Sequence, residues 1–189
     1  KILLPNQEQQ LCGAIRPREP FGERDRALIE LALHTGLRAH ELCNLDVGQV
    51  LTQQAQPRQW LELVGKGQHT RTIPLNPKAQ QAILDLVDFN QLHGFSIAAH
   101  APLLVTRDHK RLPTRTLRDR IQRYRERADL DIQPSPHTFR HTMASRLAQV
   151  APLPVVQTVL GHKRLTSTQI YTHTTPEQLT QWMHRLAEN

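Results

Sequence analysis

Apolar and polar positions follow a helical period over most of this chain and switch to a period of two in one stretch near its middle. From about Glu23 to Thr35, the residues Leu28, Leu31, Ala32 and Thr35 keep helical spacing, and Gly36 supplies a stop. A helix to about Ile15 precedes it, with Asn6 and Gln9 read as a capping box, and Pro17 and Pro20 break the chain between the two. A short helix from Arg38 to Leu45 places Arg38 and Glu41 on one face, three residues apart. Trp60–Val64 and Thr70–Pro74 read as two strands joined by Gly65-Lys66-Gly67-Gln68-His69, and a third strand is expected near Val47–Thr52.

The second half is again helical. Asn76-Pro77 and Ser135-Pro136 each have the signature of an N-cap followed by proline at the first helical position. The first of these helices ends near His93-Gly94 and the second near Val150. Pro113-Thr114 opens a helix whose apolar stripe is Leu117, Ile121, Tyr124 and Ala128, with Arg115, Arg118, Arg120, Arg123, Arg125 and Arg127 largely off that stripe. Pro152 or Pro154 restarts a short helix that stops at Gly161. A last helix opens at Thr175-Pro176, with Gln178 as capping partner and Leu179, Trp182, Met183 and Leu186 as its stripe. The fold class expected is α+β, mainly helical, with one small antiparallel sheet of about three strands.

Composition narrows the function classes. The 189 residues suffice for one domain with a sizeable core, and the 38% hydrophobic and 22% charged content suits a globular chain. No apolar run is long enough to span a bilayer, and no secretory pattern opens the chain. A net charge of +7 points to a polyanionic partner, of which nucleic acid is the commonest. The two cysteines, Cys12 and Cys43, are far apart and in no C-x-x-C pair, so core packing and a reducing, cytoplasmic setting are expected.

The chemistry-bearing residues occur in an order that suits phosphodiester attack. Charge grows on the non-bridging oxygens during such an attack, and arginine is planar, always charged and able to hold two oxygens. Arg38 and Arg140 are the candidates, with His137 one turn before Arg140 and His162 just after a glycine. The nucleophile must come from few groups. Tyr124 lies on an apolar stripe, whereas Tyr171 lies in a polar stretch after His162. A phenol with a pKa of about 10 needs a base or strong positive charge, for which His137 and the arginines are at hand. Lys66, between two glycines, is placed to protonate a leaving oxygen, and Glu41 to orient Arg38 or a histidine. Taken singly, each of these has a plainer reading: a salt-bridge arginine, a solvated hairpin lysine, a packed tyrosine. The ordered set is what carries the inference.

That set resembles the catalytic domain of tyrosine recombinases, the family of phage integrases, Xer-type resolvases and integron integrases. Thr35-Gly-Leu-Arg38-Ala-His-Glu41-Leu resembles the first box. His137-Thr-Phe-Arg140-His141-Thr, Leu160-Gly-His162 and Tyr171-Thr-His173 resemble the second, and Gly65-Lys66-Gly67 with Arg71-Thr-Ile-Pro resembles the lysine hairpin. The resemblance implies that Arg38, Lys66, His137, Arg140 and His162 form the catalytic pocket and that Tyr171 attacks the scissile phosphate, giving a 3′-phosphotyrosyl link. Glu41 is a supporting residue, and Arg71, Arg115, Arg118, His141 and Lys163 are candidate DNA contacts. It further implies double-stranded DNA as partner, a homotetramer acting on two sites, a C-terminal helix docking on a neighbouring protomer, and no metal, ATP or other cofactor. Residues 1–189 would be the C-terminal catalytic domain, with the N-terminal core-binding domain that clamps DNA absent from this chain. His40 and the segment Val150–Pro154 depart from the family's usual residues without touching a proposed catalytic position.

Other readings remain open on the sequence. A type IB topoisomerase shares this pocket and chemistry, and a DNA-binding module that has lost catalysis would keep the charge. A metal site on His137 and His141, four apart on a helix, lacks an accompanying third ligand pattern.

Overall fold

The computed structural model describes residues 1–64, 70–161 and 175–188. Its elements, in chain order, are α1 (Pro5–Gly13), α2 (Gly22–Thr35), α3 (Ala39–Cys43), α4 (Val47–Val50), β1 (Trp60–Val64), β2 (Thr70–Pro74), α5 (Pro77–Leu92), α6 (Thr114–Arg127), α7 (Pro136–Val150), α8 (Leu153–Leu160) and α9 (Pro176–Glu188). Among the described residues the chain is thus a mainly helical α+β fold with one two-stranded antiparallel sheet, in which Trp60 pairs with Pro74 and Val64 with Thr70.

Helix α2 is the centre of the domain. Its residues from Ala27 to Thr35 are buried almost all round, apart from Glu30, as expected of a helix enclosed by others. It packs most extensively on α5 and then on α7. The expected proline-start helices form as the sequence suggests. Asn76 accepts a hydrogen bond from the Ala79 amide at 2.9 Å, and Ser135 accepts one from the Thr138 amide at 3.2 Å. At α9, Thr175 and Gln178 make both bonds of a capping box.

Two local expectations are corrected. The third strand near Val47–Thr52 is instead the single turn α4. Gln49 accepts from the Asp46 amide at 2.9 Å, which closes a capping box and turns the apolar run into a helix; only Leu51 makes a lone bridge, with Pro57. The first helix is capped one turn's fraction earlier than expected, with Gln7 accepting from the Leu4 amide at 3.0 Å rather than Asn6 and Gln9 forming the box.

In the first turn of α2, a buried ionic cluster centred on Asp25 ties α6 to the core. Asp25 accepts from Arg24, from Arg120 and, at 2.6 Å, from the Tyr124 hydroxyl. Burial and then the Asp25 charge push the Tyr124 phenol upward, so Tyr124 is a core residue, as its position on the stripe suggests. Arg127 pairs with Glu19 at 2.9 Å and Arg125 donates to the Ile132 carbonyl at 3.3 Å, so three arginines of α6 serve the fold, whereas the Arg115 side chain is almost fully exposed and Arg118 is exposed. Cys12 and Cys43 are both buried and free, and burial pushes their thiols up to about 12 and about 11. Helix α9 seats Leu179, Met183 and Leu186 on its own chain, against α7, α5 and β2. No helix among the described residues is long and apolar enough to cross a membrane.

Candidate functional site

Four chain segments converge at the C-terminal end of α2. Gly36 ends that helix in the left-handed region, φ +62°, which a glycine adopts without strain, and the turn delivers Arg38 as the residue before α3. Arg140, in the second turn of α7, is buried and reaches across. Its Nη1 donates to the Gly36 carbonyl at 2.7 Å and its Nη2 to the Leu160 carbonyl at the end of α8. Both acceptors lie at helix C-termini, where carbonyls lack intrahelical partners and the helix dipole favours a cation.

Glu41 is the hub on the other side. One oxygen accepts from Arg38 Nη1 at 3.0 Å and from Arg71 Nη1 at 2.7 Å. The other accepts from the Arg38 amide at 2.8 Å and from Arg71 Nη2 at 2.8 Å. Burial alone would raise this carboxyl, but the hydrogen bonds from Arg71 and Arg38 outweigh it and hold it down at about 2. Arg71 comes from β2, two residues before the buried Ile73, and the alternation of a strand turns both toward the interior.

The result is a concentration of guanidinium groups around one carboxylate. Burial, then the charges of Arg38 and Arg71, lowers Arg140 to about 10, so it stays protonated at neutral pH. Arg38 is the accessible member, with 40% of its side chain exposed, while Glu41 and Arg71 are 8% and 13% exposed. Three cations sharing one anion leave a positive surplus at the surface, suited to an anionic ligand and above all to a phosphate.

His137 and His141 stand one turn apart on the exposed side of α7. Their rings meet edge to face at 4.3 Å, with the two Nε2 atoms 2.9 Å apart. Among the described residues no group of three or more histidine, cysteine, aspartate or glutamate side chains is arranged to hold a metal ion. Lys66, His162, Lys163 and Tyr171 lie outside the described residues.

The structure thus brings together Arg38, Glu41, Arg71 and Arg140, with His137 and His141 on the neighbouring helix face. Arg115 and Arg118 lie on α6, which packs against α3. Two residues have contacts beyond those the sequence suggests. Arg71, a candidate DNA contact, bonds Glu41, and its position in phase with Ile73 is the available signal. Gly161 is more than a helix stop. It has φ +65°, and a Cβ there would lie 2.6 Å from Cδ of Arg71.

Residues 1–178 match the model of the phage integrase family. The chain is 34% identical over 181 residues to tyrosine recombinase XerD of Haemophilus ducreyi, covering 95% of this chain and 60% of that protein. It is 34% identical over 184 residues to tyrosine recombinase XerC of Pelotomaculum thermopropionicum, covering 95% and 59%. Among solved structures, XerA recombinase superposes with a TM-score of 0.71 at 25% identity over 98% of this chain and 64% of that one. XerH bound to its difH substrate, at 22% identity over 91% of this chain and 50% of that one, shares the fold with a TM-score of 0.69. The chain therefore spans about 60% of the length of the curated relatives it matches.

Proposed function

Because this chain belongs to the phage integrase family of tyrosine recombinases, we propose that it carries out site-specific recombination of double-stranded DNA by cleaving and rejoining strands. The observation that carries the reading is the arginine cluster: Arg38 exposed, Arg140 locked by two helix ends, and Glu41 holding Arg38 in place.

In the proposed reaction the non-bridging oxygens of the scissile phosphate sit against Arg38 and Arg140, which offset the charge that grows there. Tyr171 loses its proton to His137 and attacks phosphorus. The bond to the 5′ oxygen breaks, a 3′-phosphotyrosyl link forms, and Lys66 supplies the proton that the departing 5′ oxygen takes up. His162 completes the phosphate contacts. A 5′ hydroxyl from the partner duplex then attacks the phosphotyrosine and releases the tyrosine. One phosphoester replaces another in each step, so the bond energy is conserved and neither metal nor ATP enters the balance. Arg115, Arg118, His141 and Lys163 are proposed to contact the duplex around the site.

Four protomers on two DNA sites, passing through a Holliday junction, are the proposed assembly, and the cytoplasm is the proposed setting. Docking of α9 on a neighbour would require it to leave the seat it occupies here on its own chain.

The test uses this chain with nicked suicide duplexes built from DNA fragments that it selects from a random pool. A covalent adduct that survives denaturation and forms in EDTA is expected. Tyr171→Phe should bind the same DNA and give none; an adduct persisting in that variant would overturn the nucleophile assignment. Relaxation of any plasmid, with no sequence requirement and no recombinant product, would overturn recombination in favour of a topoisomerase.

A further inference from the structure

Arg71 is tied to three chain segments at once. It stands on β2, which directly follows the residues that include Lys66. Both its terminal nitrogens go to Glu41, at 2.7 and 2.8 Å, and Glu41 in turn holds the side chain and the amide of Arg38. Its aliphatic stem lies over Gly161, the residue before His162, so closely that a Cβ there would come within 2.6 Å of Cδ and 3.1 Å of Nε. A guanidinium whose fork is filled by a protein carboxylate does not have that fork to offer a phosphate. At 13% side-chain exposure it is also poorly placed to meet a duplex from solution.

We propose that Arg71 is a positioning residue for strand cleavage, one that fixes Arg38 through Glu41 and uses the bare backbone of Gly161 as its seat. This rests on the recombinase reading above. Without Arg71, Glu41 keeps one cation instead of two, and the half-exposed Arg38 loses the partner's partner that holds its carboxylate still. A side chain at Gly161 would displace the Arg71 stem and have the same consequence from the opposite direction. The glycine is therefore required for the arginine behind it as well as for its own positive φ.

The test measures Arg71→Lys, Arg71→Gln and Gly161→Ala in this chain, by single-turnover cleavage on saturating suicide duplex and by DNA affinity across a salt series. Lysine keeps the charge but cannot make the paired contact with Glu41. Arg71→Lys is expected to lower the cleavage rate by about 100-fold, the scale of a misplaced catalytic group, with affinity and its salt slope unchanged. Weaker binding with a slope reduced by about one would identify a phosphate contact instead and overturn the proposal. Cleavage at the wild-type rate would overturn it too, as would a loss that disappears on cooling below the variant's unfolding transition, since that marks a purely structural role. A second readout does not depend on activity. The side-chain Nε–H signal of Arg38, assigned with Arg38→Lys, is expected to be ordered in the free wild-type protein and averaged in Arg71→Lys. An unchanged Arg38 signal overturns the positioning role, whereas a wild type that forms no adduct on any selected DNA overturns the recombinase reading alone.

Discussion

Arg140 donates to the Gly36 carbonyl at 2.7 Å across 104 residues of sequence, and its second nitrogen closes on Leu160, so one buried side chain joins the ends of α2 and α8. Removing it would leave two helix-terminal carbonyls without their partner. Arg140→Ala is expected to destabilise the fold by about 2–6 kcal/mol, on roughly 1–3 kcal/mol for each buried group stranded. Arg140→Lys, with a single nitrogen, should lose about half of that. Urea unfolding of both variants, compared at equal m, measures the difference.

Glu41 makes stability depend on acid. Its carboxyl titrates at about 2 in the folded protein against 4.5 ordinarily, so the folded state favours the ionised form. The stabilisation is complete above pH 4.5 and is lost as pH falls from there toward 2. With Glu41 at 8% side-chain exposure, it amounts to at most about 3 kcal/mol. Glu41→Gln should be less stable at neutral pH and should show a flatter decline of the urea midpoint between pH 4.5 and 2. A parallel decline in both proteins would contradict the assignment.

Tyr124 and Tyr171 are predicted to separate stability from chemistry. Tyr124→Phe removes a hydroxyl that donates to Asp25 at 2.6 Å, and about 1–3 kcal/mol of stability should go with it. At a temperature where the variant is folded, its DNA adduct should form at the wild-type rate. Tyr171→Phe should melt as the wild type does and form no adduct. Thermal melts and denaturing gels on the same preparations distinguish the two.

The His137–His141 pair makes a prediction about tautomers. Two Nε2 atoms at 2.9 Å form a hydrogen bond only if one carries a proton and the other a lone pair. Long-range nitrogen–proton NMR of the neutral rings should therefore find one protonated and one bare Nε2, and His141→Ala should allow the remaining ring both tautomers. Two rings with protonated Nε2 atoms would contradict the contact.

Much of the fold was legible because local chemistry decided it. Asn76-Pro77, Ser135-Pro136 and Thr175-Pro176 each carry their cap within four residues, and each helix begins where those residues place it. The strands around residues 65–69 and the glycine stop at residue 36 were equally local. Val47–Val50 misled because a short apolar run has no period of its own, and the choice fell to one Gln49 side chain. The arginines of α6 were harder still. Arg120 and Arg127 find their carboxylates 95 and 108 residues away, and nothing adjacent to them announces it. The site divides along the same line. Arg38 and Glu41, three apart on one turn, could be paired from sequence alone, whereas Arg71 meets Glu41 from 30 residues away.

The seat of α9 has a consequence for the stretch between it and α8. Gly161 is pressed against Arg71, and Leu179 and Met183 are buried on α7 and its neighbours, so both ends of residues 162–174 are moored to the body that holds the arginines. The two described elements that flank this stretch are thus part of one packed body with Arg38, Arg71 and Arg140, so a substitution that loosens α9 from α7 is felt at the same core that seats the arginines.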